Sequence, residues 1–274
     1  MRVKKTLGDI GFGLSVIALV SPALLVFLWM LSLSLKNELD NTAFPPVFIP
    51  TEPTLDNFRQ VFERNDFFNY ALNSIIVSFS ATGLALLLGV PAGYGIAKMK
   101  ATKAAVVILI ARITPGLSYL IPLFLLFQWL GLTGTLTPIV ITHLVITVPI
   151  VVWIMMGFFE GLPGELEEAA LVDGATIWQA FWHVAMPLAK PGMTVATILA
   201  FIFSWNNFIF AMVLAGRETR TLPVAVNNML TFEQVSWGPL SAAALLVTAP
   251  VLILTLIAQK QIVAGLTAGG VKGG

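Results

Sequence analysis

Six stretches of this chain run for about 20 residues or more with almost no charge, at approximately 10–35, 70–97, 104–130, 135–159, 193–215 and 240–258. A hydrocarbon core about 30 Å thick takes roughly 20 residues of helix to cross, and within lipid each backbone N–H and C=O must find its partner inside the segment. Runs of this length and spacing predict a bundle of membrane-spanning helices, with a single charge, Arg112, inside them. The remainder agrees, since only 11% of the 274 residues are charged, against roughly 25% in soluble domains. The expected fold class is therefore all-α integral membrane, with six spans in one domain, 1–274.

The same counts exclude several functions. A net charge of +1 provides no field for nucleic acid, and two histidines with no cysteine leave little for a metal or redox centre and nothing for a disulfide. The opening "MRVKK" resembles the basic start of a secretory signal, but the apolar run behind it exceeds the 7 to 15 residues of such signals, so it reads as an uncleaved span. With the amino terminus in the cytoplasm, Arg2, Lys4, Lys5, Lys98, Lys100, Lys103, Lys190, Lys260 and Lys272 fall inside. Lys36, Arg59, Arg64, Arg217 and Arg220 fall outside. This bias favours both termini in the cytoplasm. The segment 160–192 and the tail 259–274 are then cytoplasmic, and 36–69 and 216–239 face outward, the first of them reading as a packed external loop.

Cytoplasmic segment 160–192 holds Glu165, Glu167, Glu168 and Asp173 within nine residues. Pro163 ahead of "GELEEAALV" predicts a short helix with acids at its positive end, and Gly174 predicts its stop. From Thr176 to about Met186 the apolar positions Ile177, Ala180, Phe181 and Val184 share one helical face, with Pro187 and Pro191 expected to end it. A hairpin lying on the membrane surface and a knob for a protein partner both fit this pattern. Acidity favours the knob, because helices bound to an anionic leaflet are rich in Lys and Arg.

"EAALVDG", followed nine residues later by Val184, Met186 and Pro187, resembles the EAA loop of binding-protein-dependent ABC importer permeases, with Val184 and Met186 as conservative departures. "AGLTAGGVKG" at 264–273 and the aspartate before Gly174 are similar to the carbohydrate-uptake branch, in particular the smaller permease of the maltose type. The resemblance implies that Pro163–Gly174 is most of a coupling helix seated in a cytoplasmic ATPase. Glu165, Glu168, Ala169, Ala170, Asp173 and Gly174 would serve the coupling, and the tail residues Gly265, Gly269, Gly270 and Lys272 would reach the ATPase. It also implies a bacterial inner membrane, a second permease subunit in a heterodimer, two copies of the ATPase holding ATP and Mg, and an extracytoplasmic sugar-binding protein. No cofactor is expected in this chain, which lacks any Gly-x4-Gly-Lys-[Ser/Thr] phosphate loop.

Polar groups inside the spans are candidates for a substrate path. "FSWNNFIF" offers Ser204 and Asn207 three residues apart on one helical face, with Trp205 and Asn206 beside them, although polar contacts between helices explain such residues equally well. His143 is expected to make one of those interhelical contacts. Arg112, nine residues beyond Lys103 and so about 13 Å deeper, has no acid in any span to pair with. In the outer segment the resemblance to the maltose type implies that Arg220, Asn227 and Asn228 help dock the binding protein, although a segment that only connects two spans fits equally well. The alternative class is a self-sufficient carrier or channel, which would ordinarily show a membrane carboxylate or an internal repeat; neither is visible.

Overall fold

The structure, a computed structural model, describes residues 2–64, 66–113, 116–230 and 235–270, and every regular element among them is helical. In chain order the helices are α1 (Arg2–Ser34), α2 (Glu38–Thr42), α3 (Asp56–Arg64), α4 (Phe67–Lys98), α5 (Thr102–Ile113), α6 (Gly116–Trp129) and α7 (Thr137–Glu160). There follow α8 (Gly164–Val172), α9 (Ile177–Leu188), α10 (Lys190–Trp205), α11 (Ile209–Leu214), α12 (Leu222–Asn227) and α13 (Trp237–Gly270). Among the described residues, four are long and apolar enough to cross a bilayer: α1 through Ser15–Ser34, α4, α7, and α13 through Trp237–Ile257. A fifth candidate is the pair α9 and α10, bent by 77°.

One of the six apolar runs is divided within the described residues. Run 104–130 carries α5 and α6, with positions 114–115 outside those described. Run 193–215 breaks after Trp205 because two asparagines trade the helical ladder for their own bonds. Asn206 Nδ2 donates to the Ile202 carbonyl at 3.0 Å, and Asn207 Oδ1 accepts from the Phe210 N–H at 3.4 Å. Asn207 therefore lies past the end of α10 and does not continue the face that carries Ser204.

The chain divides into two compact units, Met1–Phe67 with Val226–Ala249 and Phe68–Ala225 with Pro250–Gly274. In the first, the segment after α1 folds back on the end of that helix. Lys36, 1% exposed, donates through Nζ to the Val47 carbonyl at 2.6 Å and lies 4.6 Å over the Trp29 ring, a cation–π placement that offsets burial of the charge. Asn57 Nδ2 donates to the carbonyls of Ser34 and Lys36 at 2.9 and 2.7 Å. Gly238 packs so tightly on Asn57 that a Cβ there would meet Oδ1 at 2.4 Å.

In the second unit α7 is gripped between α4 and α10 by rows of small residues at every fourth position. On α4 the row is Ala81, Ala85, Gly89 and Gly93, and on α10 it is Gly192, Ala196, Ala200 and Ser204. Membrane helices gain no hydrophobic drive from lipid, so close backbone approach through small residues supplies the packing instead. A Cβ on Gly89 would stand 2.7 Å from Val151 Cγ1, and one on Gly93 3.0 Å from Met155 Cβ. The buried face of α7 answers with Ile150, Val151, Val152, Met155 and Phe159.

Candidate functional site

The loop between α7 and α10 is built from backbone punctuation. Pro163, at φ −59° and ψ 119°, leads into α8, whose first turn carries Glu165 and Glu167 near the helix's positive pole. At the other end Ala175 N–H donates to the Ala170 carbonyl at 2.9 Å and Gly174 N–H to that of Leu171 at 3.1 Å. This paired closure requires a left-handed residue, and Gly174 supplies φ +90°. A Cβ at Gly174 would meet nothing within 4 Å, so backbone conformation alone calls for glycine. Thr176 and Gln179 then form a reciprocal capping box that opens α9.

The second helix ends at Leu188, one residue past Pro187. Pro191 lies beyond it in the first turn of α10, where a missing N–H costs no bond, and helix resumes after the corner at Ala189. Within α9, Phe181–Ala185 winds as a π-turn. The ring of Phe181 is wholly buried there, 4.8 Å from Tyr94 of α4.

α8 is inside out. Leu166, Leu171 and Val172 are exposed at 47%, 43% and 87%, whereas Glu167 is buried at 4%. Glu165, Glu168, Ala169, Asp173 and Gly174 face solvent and Ala170 is half-buried. The buried carboxylate is partnered through one oxygen: Glu167 Oε2 stands 2.6 Å from Lys98 Nζ and accepts a hydrogen bond from Tyr94 OH at 2.8 Å. Sequence reasoning counted Glu167 among the acids without giving it a role. The available signal was Tyr94 and Lys98, i and i+4 at the end of α4, able to receive one carboxylate. A shallow cleft of about 380 Å³ separates α8 from α9, with Ala170, Asp173, Gly174, Gln179 and His183 on its walls.

The intramembrane candidates separate. Ser204 is buried with its Oγ 2.8 Å from His143 Nδ1, an interhelical contact between α10 and α7 of the kind expected of His143. Trp205 is buried and stacks on Phe201 at 5.5 Å. Asn206 is exposed and Asn207 half-buried at the break after α10. Arg112 belongs to α5, with its side chain outside those described. Gly265, Gly269 and Gly270 continue the backbone of α13 where a tail was expected, and Lys272 lies outside the described residues.

In segment 216–225, α12 buries Leu222, Val224 and Ala225. Its approach is tied down by residues the sequence did not single out. Asn73 Nδ2 donates to the carbonyls of Glu218 and Arg220 at 2.8 and 3.0 Å, and Ser74 Oγ accepts from Leu222 N–H at 2.8 Å. Arg220 and Asn227 are half-buried and Asn228 is exposed.

An all-helical membrane bundle with an EAA-type loop presented on a short helix defines a transport permease. Residues 85–267 match the family model described as binding-protein-dependent transport system inner membrane component, and the chain belongs to that family, the membrane subunits of ABC importers. The trehalose transport system permease protein SugB of Mycobacterium tuberculosis is 38% identical over 262 residues, covering 93% of this chain and 94% of its own. The sulfoquinovosyl glycerol transport system permease protein SmoH of Agrobacterium fabrum is 35% identical over 250 residues, covering 90% and 88%. A chain in the crystal structure of a bacterial ABC transporter involved in import of the acidic polysaccharide alginate shares the fold, with a TM-score of 0.75 at 23% identity over 94% of this chain and 96% of that one. The protein is accordingly a multi-pass ABC importer permease and not itself the ATPase.

Proposed function

We propose that this permease carries a carbohydrate, as one of two membrane subunits fed by an extracytoplasmic binding protein and driven by two cytoplasmic ATPases that hold Mg and ATP. The observation that supports it most directly is the inside-out α8. A helix that buries its glutamate and exposes Leu166, Leu171, Val172 and Ala169 leaves apolar side chains for a partner to cover. Glu165, Glu168 and Asp173 stand among them with negative charge, and Gly174 ends the helix. The carbohydrate follows from the relatives, whose names specify trehalose, sulfoquinovosyl glycerol and arabinooligosaccharides.

Within this reading six spans place both termini in the cytoplasm, and Gly265, Gly269, Gly270 and Lys272 approach the ATPases. Arg220, Asn227 and Asn228 face the binding protein. Asn206 and Asn207, at the break after α10, supply amide groups to the sugar path; Trp205 and Arg112 belong near it, and Ser204 positions the break through His143. Glu168→Lys reverses one charge on the docking surface without touching the bundle. The ATPase should then be lost from the purified complex and uptake into vesicles abolished, with membrane insertion intact; normal ATPase retention and uptake would overturn the docking. Thermal shift of the cognate binding protein against trehalose, arabino-oligosaccharides and sulfoquinovosyl glycerol tests the substrate class, and stabilisation by amino acids alone would exclude carbohydrate.

A further inference from the structure

α4 is held by side chains at both of its ends. At its C-terminal end Tyr94 and Lys98 grip Glu167 of α8. At its N-terminal end Asn73 and Ser74 grip the backbone of Glu218, Arg220 and Leu222. The stretch from Asn73 to Lys98 spans about 38 Å at 1.5 Å per residue.

Each grip is selective. α8 has nine residues, too few to hold a helix by itself in water, and Glu167 is its one buried residue. The Glu167 side chain keeps 6% of its surface exposed and Lys98 42%. Drawing that carboxylate off its partners would strand a desolvated charge, so α8 and the end of α4 are constrained to move together. Tyr94 braces the joint, since its ring lies 5.2 Å from Phe159 of α7, edge to face, as well as against Phe181 of α9. At the other end one buried amide donates to two alternate carbonyls, those of Glu218 and Arg220, and a buried hydroxyl takes the N–H that starts α12. Between the ends, Gly89 and Gly93 bed α4 closely on α7 within two turns of the Tyr94 joint.

We propose that α4 is the connecting rod of the transporter, with Glu167, Tyr94 and Lys98 as the joint to the coupling helix and Asn73 with Ser74 as the joint to segment 218–222. These are positioning residues, distinct from the exposed Glu168 surface, and their role rests on the docking of α8 proposed above. Engagement of the binding protein at one end and closure of the ATPases at the other then bias a single helix, which is a physical element that both sites act upon.

The test uses the complete reconstituted transporter and its binding protein isolated from cells with its own sugar bound. The readout is the ratio of binding-protein-stimulated to basal ATP hydrolysis, per co-purified ATPase. Glu167→Gln, Tyr94→Phe and Asn73→Ala should each lower that ratio by at least about fivefold, the low end of coupling between linked sites. Glu167→Gln combined with Asn73→Ala should be no worse than the more severe single change, because both interrupt one path. A purely structural role predicts less assembled complex with an unchanged ratio in what remains, and that result would overturn the rod. Multiplying defects in the double variant would overturn it too. Should Glu167→Gln fail to assemble, Tyr94→Phe decides, since it keeps the ring packing and removes only the hydroxyl. Glu168→Lys separates the two readings: retained and stimulated ATPase there removes the docking surface, whereas a normal ratio in Tyr94→Phe and Asn73→Ala removes the rod alone.

Discussion

Gly174 and Gly192 are glycine for opposite reasons, and substitutions at the two positions should fail differently. Gly174 has open space around it and a φ of +90°, so alanine there costs about 1–2 kcal/mol of backbone strain and nothing in packing. Gly192 has no such φ, but a Cβ would lie 2.4 Å from the Phe158 ring, and forcing α10 away from α7 costs about 1–3 kcal/mol. Because the strain at Gly174 falls on a short exposed helix that can open locally without unfolding the bundle, Gly174→Ala should leave the thermal midpoint of the purified permease close to wild type and reduce uptake. Gly192→Ala should lower the midpoint, with uptake falling only as far as folded protein is lost. Differential scanning fluorimetry beside vesicle uptake distinguishes them, and equal thermal losses would contradict the assignment. Only the first of these glycines announced itself in the sequence, by closing an acidic helix; the second depends on a ring 34 positions earlier and on a neighbouring helix.

Among the elements, legibility tracked local chemistry. Hydropathy and length displayed α4 and α7 directly, and the proline, the acids and the glycine displayed α8. The break after Trp205 was not legible as hydropathy, because it arises from two amide side chains competing for backbone partners inside an otherwise apolar run. Equally hidden was the burial of Glu167, since a carboxylate beside three other acids reads as solvated until α4 brings a lysine and a tyrosine to it. The His143 and Ser204 bond pins α7 to α10 at the turn before that break. Interhelical hydrogen bonds in membranes contribute about 0.6 kcal/mol on average and up to about 1.7. A double-mutant cycle with His143→Ala and Ser204→Ala should therefore return a coupling within that range. Strict additivity would mean that the two side chains do not act as a pair.

For the whole molecule, the orientation argued from Lys and Arg is open to direct measurement. Alkaline phosphatase fused after Glu52 or Asn228 should be active, and fused after Lys100 or Ala175 inactive, with green fluorescent protein showing the reverse; a reversed pattern at Lys100 and Ala175 would invert the map. The corner between α9 and α10 has a mechanical meaning within such an orientation. Two bonds flank it, Ala189 N–H donating to Ala185 and Met193 N–H to Ala189, each at 2.9 Å, on either side of Pro191, which has no N–H to give, and Ala189 is wholly buried. A 77° angle braced by those two bonds and packed around a buried alanine acts as a bell crank. Its arms of 12 and 16 residues, Ile177–Leu188 and Lys190–Trp205, measure about 18 and 24 Å at 1.5 Å per residue. A thrust delivered sideways to the tip of the shorter arm emerges as a swing of the longer one, enlarged by about a third in the ratio of the arms, and it arrives at the asparagine break where the longer arm ends.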